Sequence, residues 1–160
     1  MKRNSGKGFS LVELMVVVAI IGLVIAATAP PAMKTWKRAD LDRNGNRLAG
    51  AMRLCRQKAV WRRVPYRLTV DPGRRLFYSE RSDSAGAWVL DPPETTFVDR
   101  GVSFSVRAGG SPSNWDLLFE GRGTVSNADA PATVLFWNDR AETLAVQLIR
   151  TGRVRLTRRG

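Results

Sequence analysis

The sequence predicts an α+β fold, with one long N-terminal helix followed by a head of short antiparallel strands packed against it. Three observations lead there. Residues Leu14 to Met33 carry no charge; as a helix, such a run of about 20 residues matches a hydrocarbon core of about 30 Å. Between residues 34 and 63 the apolar side chains recur at helical spacing. Beyond Pro65 the hydrophobic period changes to two, punctuated by proline, glycine and asparagine. The chain has 160 residues, 44% of them hydrophobic and 25% charged, which suits a folded protein with one core and one appendage.

The start of the chain reads MKRNSGKG and then FSLVELMVVVAIIGLVIAATAPPAM. Lys2, Arg3 and Lys7 precede the apolar run, and the positive-inside rule would keep them cytoplasmic. Lys34, Lys37 and Arg38 on its far side weaken that asymmetry. Three readings compete. A plain membrane anchor accounts for the length but leaves Glu13 unexplained. A secretory signal peptide accounts for the basic start and for Ala27-Thr28-Ala29, yet Pro30 would follow the scissile bond. Cleavage between Gly8 and Phe9 accounts for all of these features. It places a new α-amine at Phe9, four residues from the Glu13 carboxylate. A carboxylate among apolar neighbours costs on the order of 2–3 kcal/mol in mid-bilayer. An amine from an adjacent subunit would neutralise it and couple that gain to lateral assembly. A lone glutamate at a helix start is also favoured by the dipole, which is the bland reading of the same residue.

The string Gly8-Phe9-Ser10-Leu11-Val12-Glu13, continued by LMVVVAIIGLV, resembles the class III signal of type IV pilins and type II secretion pseudopilins. That resemblance implies cleavage after Gly8 by a prepilin peptidase, N-methylation of Phe9, and Glu13 as the acid that registers subunits in a filament. It divides the chain into a basic leader (1–8), a hydrophobic transmembrane and assembly helix (9–33), and a periplasmic head (34–160). Pro30 falls where such proteins carry a helix-loosening proline. The pair Pro30-Pro31 removes two backbone donors and is expected to kink the helix.

Within the head, Leu41, Leu48, Met52, Cys55 and Ala59 form one helical face of an amphipathic segment over 34–63, which Val64-Pro65 ends. Gly45 and Gly50 lower its intrinsic helicity, so packing must hold it. Cys55 lies on the apolar stripe and reads as a small buried hydrophobe. A β-rich region over 66–160 follows. Tyr66–Val70 and Leu76–Ser79 form a hairpin around Asp71-Pro72-Gly73. Further strands are expected at Trp88–Leu90, Val102–Arg107, Trp115–Glu120, Thr133–Trp137, Leu144–Arg150 and Arg153–Thr157. The helix-then-strands layout, the segment RLAGAMRLCRQKAVWRRVPYRLTVDP and the terminal TGRVRL resemble the GspH/FimT type of minor pilin and pseudopilin.

Composition excludes much chemistry. There is no histidine and only one cysteine, Cys55, so histidine-assisted nucleophilic catalysis, an internal disulfide and a Cys/His metal site are ruled out. No cofactor is expected. Asp71, Asp91, Asp99, Asp139 and Glu142 sit near predicted turns, where turn and cap chemistry is the ordinary reason for such residues. Of the tryptophans, Trp61, Trp88, Trp115 and Trp137 lie in or beside amphipathic elements, so core burial is expected. Trp36 suits a membrane-interface anchor.

The net charge of +12 favours anionic partners without choosing among them. Arg153 and Arg155 would share one face of an edge strand, with Arg158 and Arg159 beyond them. They could bind phosphates, or guard the edge against aggregation. Gly152-Arg153-Val154-Arg155 resembles the element that implies DNA capture in FimT-type minor pilins. The leading expectation is a structural subunit and not an enzyme: a minor pilin or pseudopilin of a type II secretion pseudopilus or type IV pilus, in a tip or initiation role. It would be held in the bacterial inner membrane and assembled with other pilins. The alternatives are a DNA-binding minor pilin serving DNA uptake, and a monomeric membrane-anchored periplasmic protein.

Overall fold

The computed structural model describes residues 10–91, 95–107, 115–126 and 132–159, with the side chains of 28–34 and of Arg159 outside the description. One helix, α1, spans Leu11–Arg62. Ser10, a residue type favoured at a helix start, precedes it, and the Ser10 carbonyl accepts the Leu14 amide at 3.1 Å. At the other end Arg63 takes a left-handed φ of 55°, and Pro65 prevents continuation. The helix assignment runs unbroken through positions 30 and 31, the site of the expected kink. By compactness the chain divides into residues 1–36 and 37–160.

Nine strands follow among the described residues: β1 (Tyr66–Asp71), β2 (Leu76–Ser82), β3 (Trp88–Leu90), β4 (Thr96–Phe97), β5 (Val102–Arg107), β6 (Trp115–Phe119), β7 (Ala132–Asn138), β8 (Thr143–Leu148) and β9 (Val154–Arg159). They build two antiparallel sheets. The first has the order β3-β2-β1-β6, with β4 pairing the same edge of β2 as β3. The second has the order β5-β7-β8-β9 and leaves β9 at an edge. The expected β1–β2 hairpin is present, and Asp71 Oδ1 accepts the Arg74 amide at 2.9 Å across its turn. The last two strands are shifted by one to two residues from their expected bounds. The turn between them, closed by the Gly152 amide on the Ile149 carbonyl, releases the chain before Arg150.

One apolar cluster joins the helix to both sheets. Leu41, Leu48, Met52, Cys55 and Ala59 are all buried, together with Tyr66, Leu68 and Val70 of β1, Leu117 and Phe119 of β6, and Val134, Phe136, Val146 and Leu148 of the second sheet. The Phe104 and Phe136 rings stack at 5.5 Å between centroids. Gly45 has a packing reason: a Cβ there would lie 2.2 Å from a Leu144 methyl, so the glycine lets β8 approach the helix. Gly50, by contrast, faces open space.

The two sheets are tied by backbone as well as by core. Val125 bridges Phe119 of the first sheet and donates its amide to the Arg150 carbonyl beside the second. Arg75, also at positive φ, caps the carbonyls of Asp99 and Val102 at 2.7 Å each.

Candidate functional site

Two regions carry the residues singled out by sequence. The first is the start of α1. From Leu11 to Ile25, twelve large apolar side chains stand 44–74% exposed, and they lie on every side of the helix. A helix that is apolar all round is stable only when lipid or other protein covers it. Burying such a side chain contributes roughly 1.5–3 kcal/mol when it is wholly removed from water. Covering this segment is therefore a driving force of tens of kcal/mol at the upper bound. Glu13 lies in the first turn, exposed, where the helix dipole favours a carboxylate. Gly8 and Phe9 lie outside the described residues, as do the side chains of Pro30 and Pro31.

Among the described residues no helix is long and apolar enough to cross a membrane. The apolar stretch whose side chains are described ends at Ala27, whereas the uncharged run in the sequence continues to Met33.

The second region is the head. There the carboxylates expected at turns do different work: most of them tether the helix to the sheets. Asp91 is buried and accepts from Lys58 Nζ at 2.9 Å and from an Arg62 guanidinium nitrogen at 3.4 Å. Burial alone would raise its carboxyl. The Lys58 hydrogen bond, the Lys58 and Arg62 charges and the Tyr66 hydroxyl outweigh that and hold it below the usual aspartate value.

Asp99 is treated the same way. Partial burial opposes its charge, but Asn44 at 3.0 Å, Arg43 at 3.2 Å and the Arg47 charge lower its carboxyl overall. The Asp99 amide in turn donates to Asn44 Oδ1, which satisfies that buried asparagine from both sides. Lys37 pairs with Asp139, Arg38 with Glu142 at 2.6 Å, and Arg158 with Asp42. In the β7–β8 turn it is Asn138 that does the capping, accepting the amides of Arg140 and Glu142 at 3.1 Å each. Sequence spacing marked Asp91, Asp99, Asp139 and Glu142 as near turns, but their helix partners lie 29 to 104 residues away and only the fold brings them together.

The C-terminal arginines do not form one array. Arg153 precedes β9 and Arg155 lies on it, both exposed. In that strand Val154 and Leu156 pack on the core, so side-chain alternation turns Arg155 to the opposite face. Arg158 faces the helix side and is held by Asp42, whose hydrogen bond and charge raise its guanidinium further. The backbone of Arg159 is strand and its side chain lies outside the description.

Gly152, the first residue of the Gly-Arg-Val-Arg element, has a structural role. Its φ is +75°, and a Cβ would fall 2.7 Å from the Gly123 carbonyl oxygen and 2.8 Å from Arg56 Nε. That same Arg56 nitrogen donates to the Gly123 carbonyl at 3.0 Å, locking two turns to the helix.

The tryptophans divide. Trp115 is buried, as expected; Trp88 is half-buried, with the Arg67 guanidinium 4.6 Å above its ring, and Trp137 is half-buried. Trp61 overturns the expectation of burial and is 87% exposed. It sits on the helix face turned away from the core, a direction that composition near an amphipathic stripe could not reveal. Trp36 is exposed, as an interfacial anchor requires. Among the described residues no cluster of acids or cysteine could hold a metal ion.

Comparison with known proteins joins these two regions. Residues 3–29 match the family described as the prokaryotic N-terminal methylation motif. The fold is shared with the minor pseudopilin EpsH of the Vibrio cholerae type 2 secretion system, at 16% identity and a TM-score of 0.61, over 74% of this chain and 97% of that one. A second structure of EpsH gives 15% and 0.62, over 76% and 96%. The fold of this chain is thus similar to that of the pseudopilin. The type IV minor pilin FimU of Pseudomonas aeruginosa also shares the fold, at 15% identity and a TM-score of 0.57, over 75% of this chain and 90% of that one. No curated protein sequence matches this chain. These structural neighbours are a minor pseudopilin and a minor pilin. This chain thus combines the N-terminal motif with a helix-and-two-sheet head in one polypeptide.

Proposed function

We propose that this chain is a minor pilin or pseudopilin, a structural subunit that enters a filament through its N-terminal helix. The observation that carries the reading is the start of α1: apolar side chains exposed on every side from Leu11 to Ile25, with one carboxylate, Glu13, in the first turn. Such a surface needs a cover, and the methylation motif over residues 3–29 supports two in turn: first the lipid of the inner membrane, then the helices of other pilins. In this reading a prepilin peptidase cuts between Gly8 and Phe9. The Phe9 amine of one subunit meets the Glu13 carboxylate of a neighbour, and the head faces the periplasm. Pro30 and Pro31 loosen the helix between its two covers.

The test is processing followed by assembly. The N-terminal residue of the mature protein is expected to be Phe9, with a methylated amine by mass spectrometry. Glu13→Ala is expected to leave processing intact and to abolish recovery of the subunit in the sheared filament fraction. A mature chain starting elsewhere removes the processing site. Full incorporation of Glu13→Ala removes the assembly role of that residue, whereas absence of the wild-type chain from the filament fraction leaves a monomeric anchor.

A further inference from the structure

The outward face of α1 near its C-terminal end is unpartnered in the head. At 3.6 residues per turn, Leu54, Gln57 and Trp61 share one side of the helix, roughly opposite the buried stripe of Leu48, Met52, Cys55 and Ala59. Leu54 is 39% exposed, Val60 46% and Trp61 87%. They line an open groove of about 910 Å³ that ends against the Gly152 turn.

Among the described residues its charged lining is wholly basic: Arg53, Arg56, Lys58 and Arg63. Lys58 is committed to Asp91 and Arg56 to the Gly123 carbonyl. Arg53 and Arg63 are exposed, and no acid lines the groove to meet them. Nothing in the head requires an exposed tryptophan here, because the core closes on the other side of the helix.

We infer that this groove is a docking surface for another subunit of the same filament, one that presents an apolar pocket rimmed by carboxylates. The inference rests on the subunit reading above. Trp61 would fill the pocket and Arg53 and Arg63 would meet the acids. Charge complementarity selects an acidic partner. The aliphatic neighbours select a protein over nucleic acid. Phosphates and stacked bases would use the arginines and the indole but leave Leu54 and Val60 without a role, whereas a protein anchor buries all of them.

The full-length chain, expressed in its own host with a photo-crosslinking amino acid at Gln57, provides the test. The expected result is an adduct with another pilin-type subunit, mapped beside acidic residues. Its yield should fall at least about tenfold in Trp61→Ala and in Arg53→Glu. Reversing the mapped acid to lysine should restore the adduct in the Arg53→Glu background, while Arg107→Glu on the far sheet should change nothing. Trp61 is exposed, so an unchanged melting temperature shows that its loss does not act through folding. If the chain enters filaments but the adduct forms with nucleic acid, with a second copy of this chain or not at all, the docking surface is overturned and the subunit reading stands. If charge reversal fails to restore the adduct, the proposed chemistry is overturned. If the chain never enters filaments, both fall.

Discussion

Replacing Asp91 by asparagine isolates a buried tether between helix and sheet. The carboxylate is 6% exposed and accepts from Lys58 at 2.9 Å and from Arg62 at 3.4 Å, with the Tyr66 hydroxyl beside it. Asparagine keeps the shape and one acceptor but removes the charge that faces the Lys58 ammonium, which is 19% exposed. Breaking a fully buried pair costs about 3–5 kcal/mol. With partial exposure of Lys58 and a retained acceptor, a loss of about 2–3 kcal/mol is expected. For a head of this size that lowers Tm by roughly 6–12 °C. Circular dichroism of the detergent-solubilised full chain would measure it, with Lys58→Met and the double variant completing a cycle. A pH series adds a second axis. Asp91 is held below its unfolded value, so its contribution is present above about pH 4 and is lost as pH falls through the lower folded value. The wild type should therefore lose stability on acidification faster than Asp91→Asn. A loss under about 0.5 kcal/mol, additive single effects, or parallel pH curves would refute the tether.

Other consequences follow from single residues. Gly152→Ala should cost about 3 kcal/mol, read as a drop in Tm, because it combines a left-handed φ with a clash on the Gly123 carbonyl and Arg56. Gly50→Ala, facing open space on α1, should instead stabilise by about 0.5–1 kcal/mol. Arg158→Gln should loosen the end of β9 from the helix by about 0.5–1 kcal/mol at low salt and less at high salt, seen as faster amide exchange in β9. Arg153→Gln/Arg155→Gln should leave Tm unchanged within about 0.5 kcal/mol, since both side chains are exposed at a sheet edge.

Much of the architecture was legible because it is written in local periodicity. The apolar stripe through Leu41, Leu48, Met52, Cys55 and Ala59 has a 3.6-residue period, and all five side chains are buried. The hairpin around Asp71-Pro72-Gly73 is set by breaker residues, whose backbone limits act on their own neighbours. The two-residue strand β4 was missed because Thr96-Phe97 is too short to show any period. The division into two sheets was missed because strand pairing joins residues far apart in the chain. Trp61 misled for a related reason: its type signals burial, but its angle on the helix puts it on the far side from the core.

The sequence alone carries the signal for the proposed processing and assembly end of this protein. In that proposal Gly8, Phe9, Glu13 and the uncharged run after them would act through neighbours in the chain and through lipid or other subunits, so no tertiary contact is needed to recognise the pattern. Tertiary structure decided the roles of the head's charged residues. The two arginine-rich ends of the head, Arg53 to Arg63 and Arg150 to Arg159, look alike as strings. Only the fold binds Arg158 to Asp42, spends Arg56 on the Gly123 carbonyl, and leaves Arg53, Arg63 and Trp61 facing outward. Periodicity tells which side of an element is apolar. Which charge finds a partner depends on what the fold carries to within about 4 Å of it, and that is long-range information.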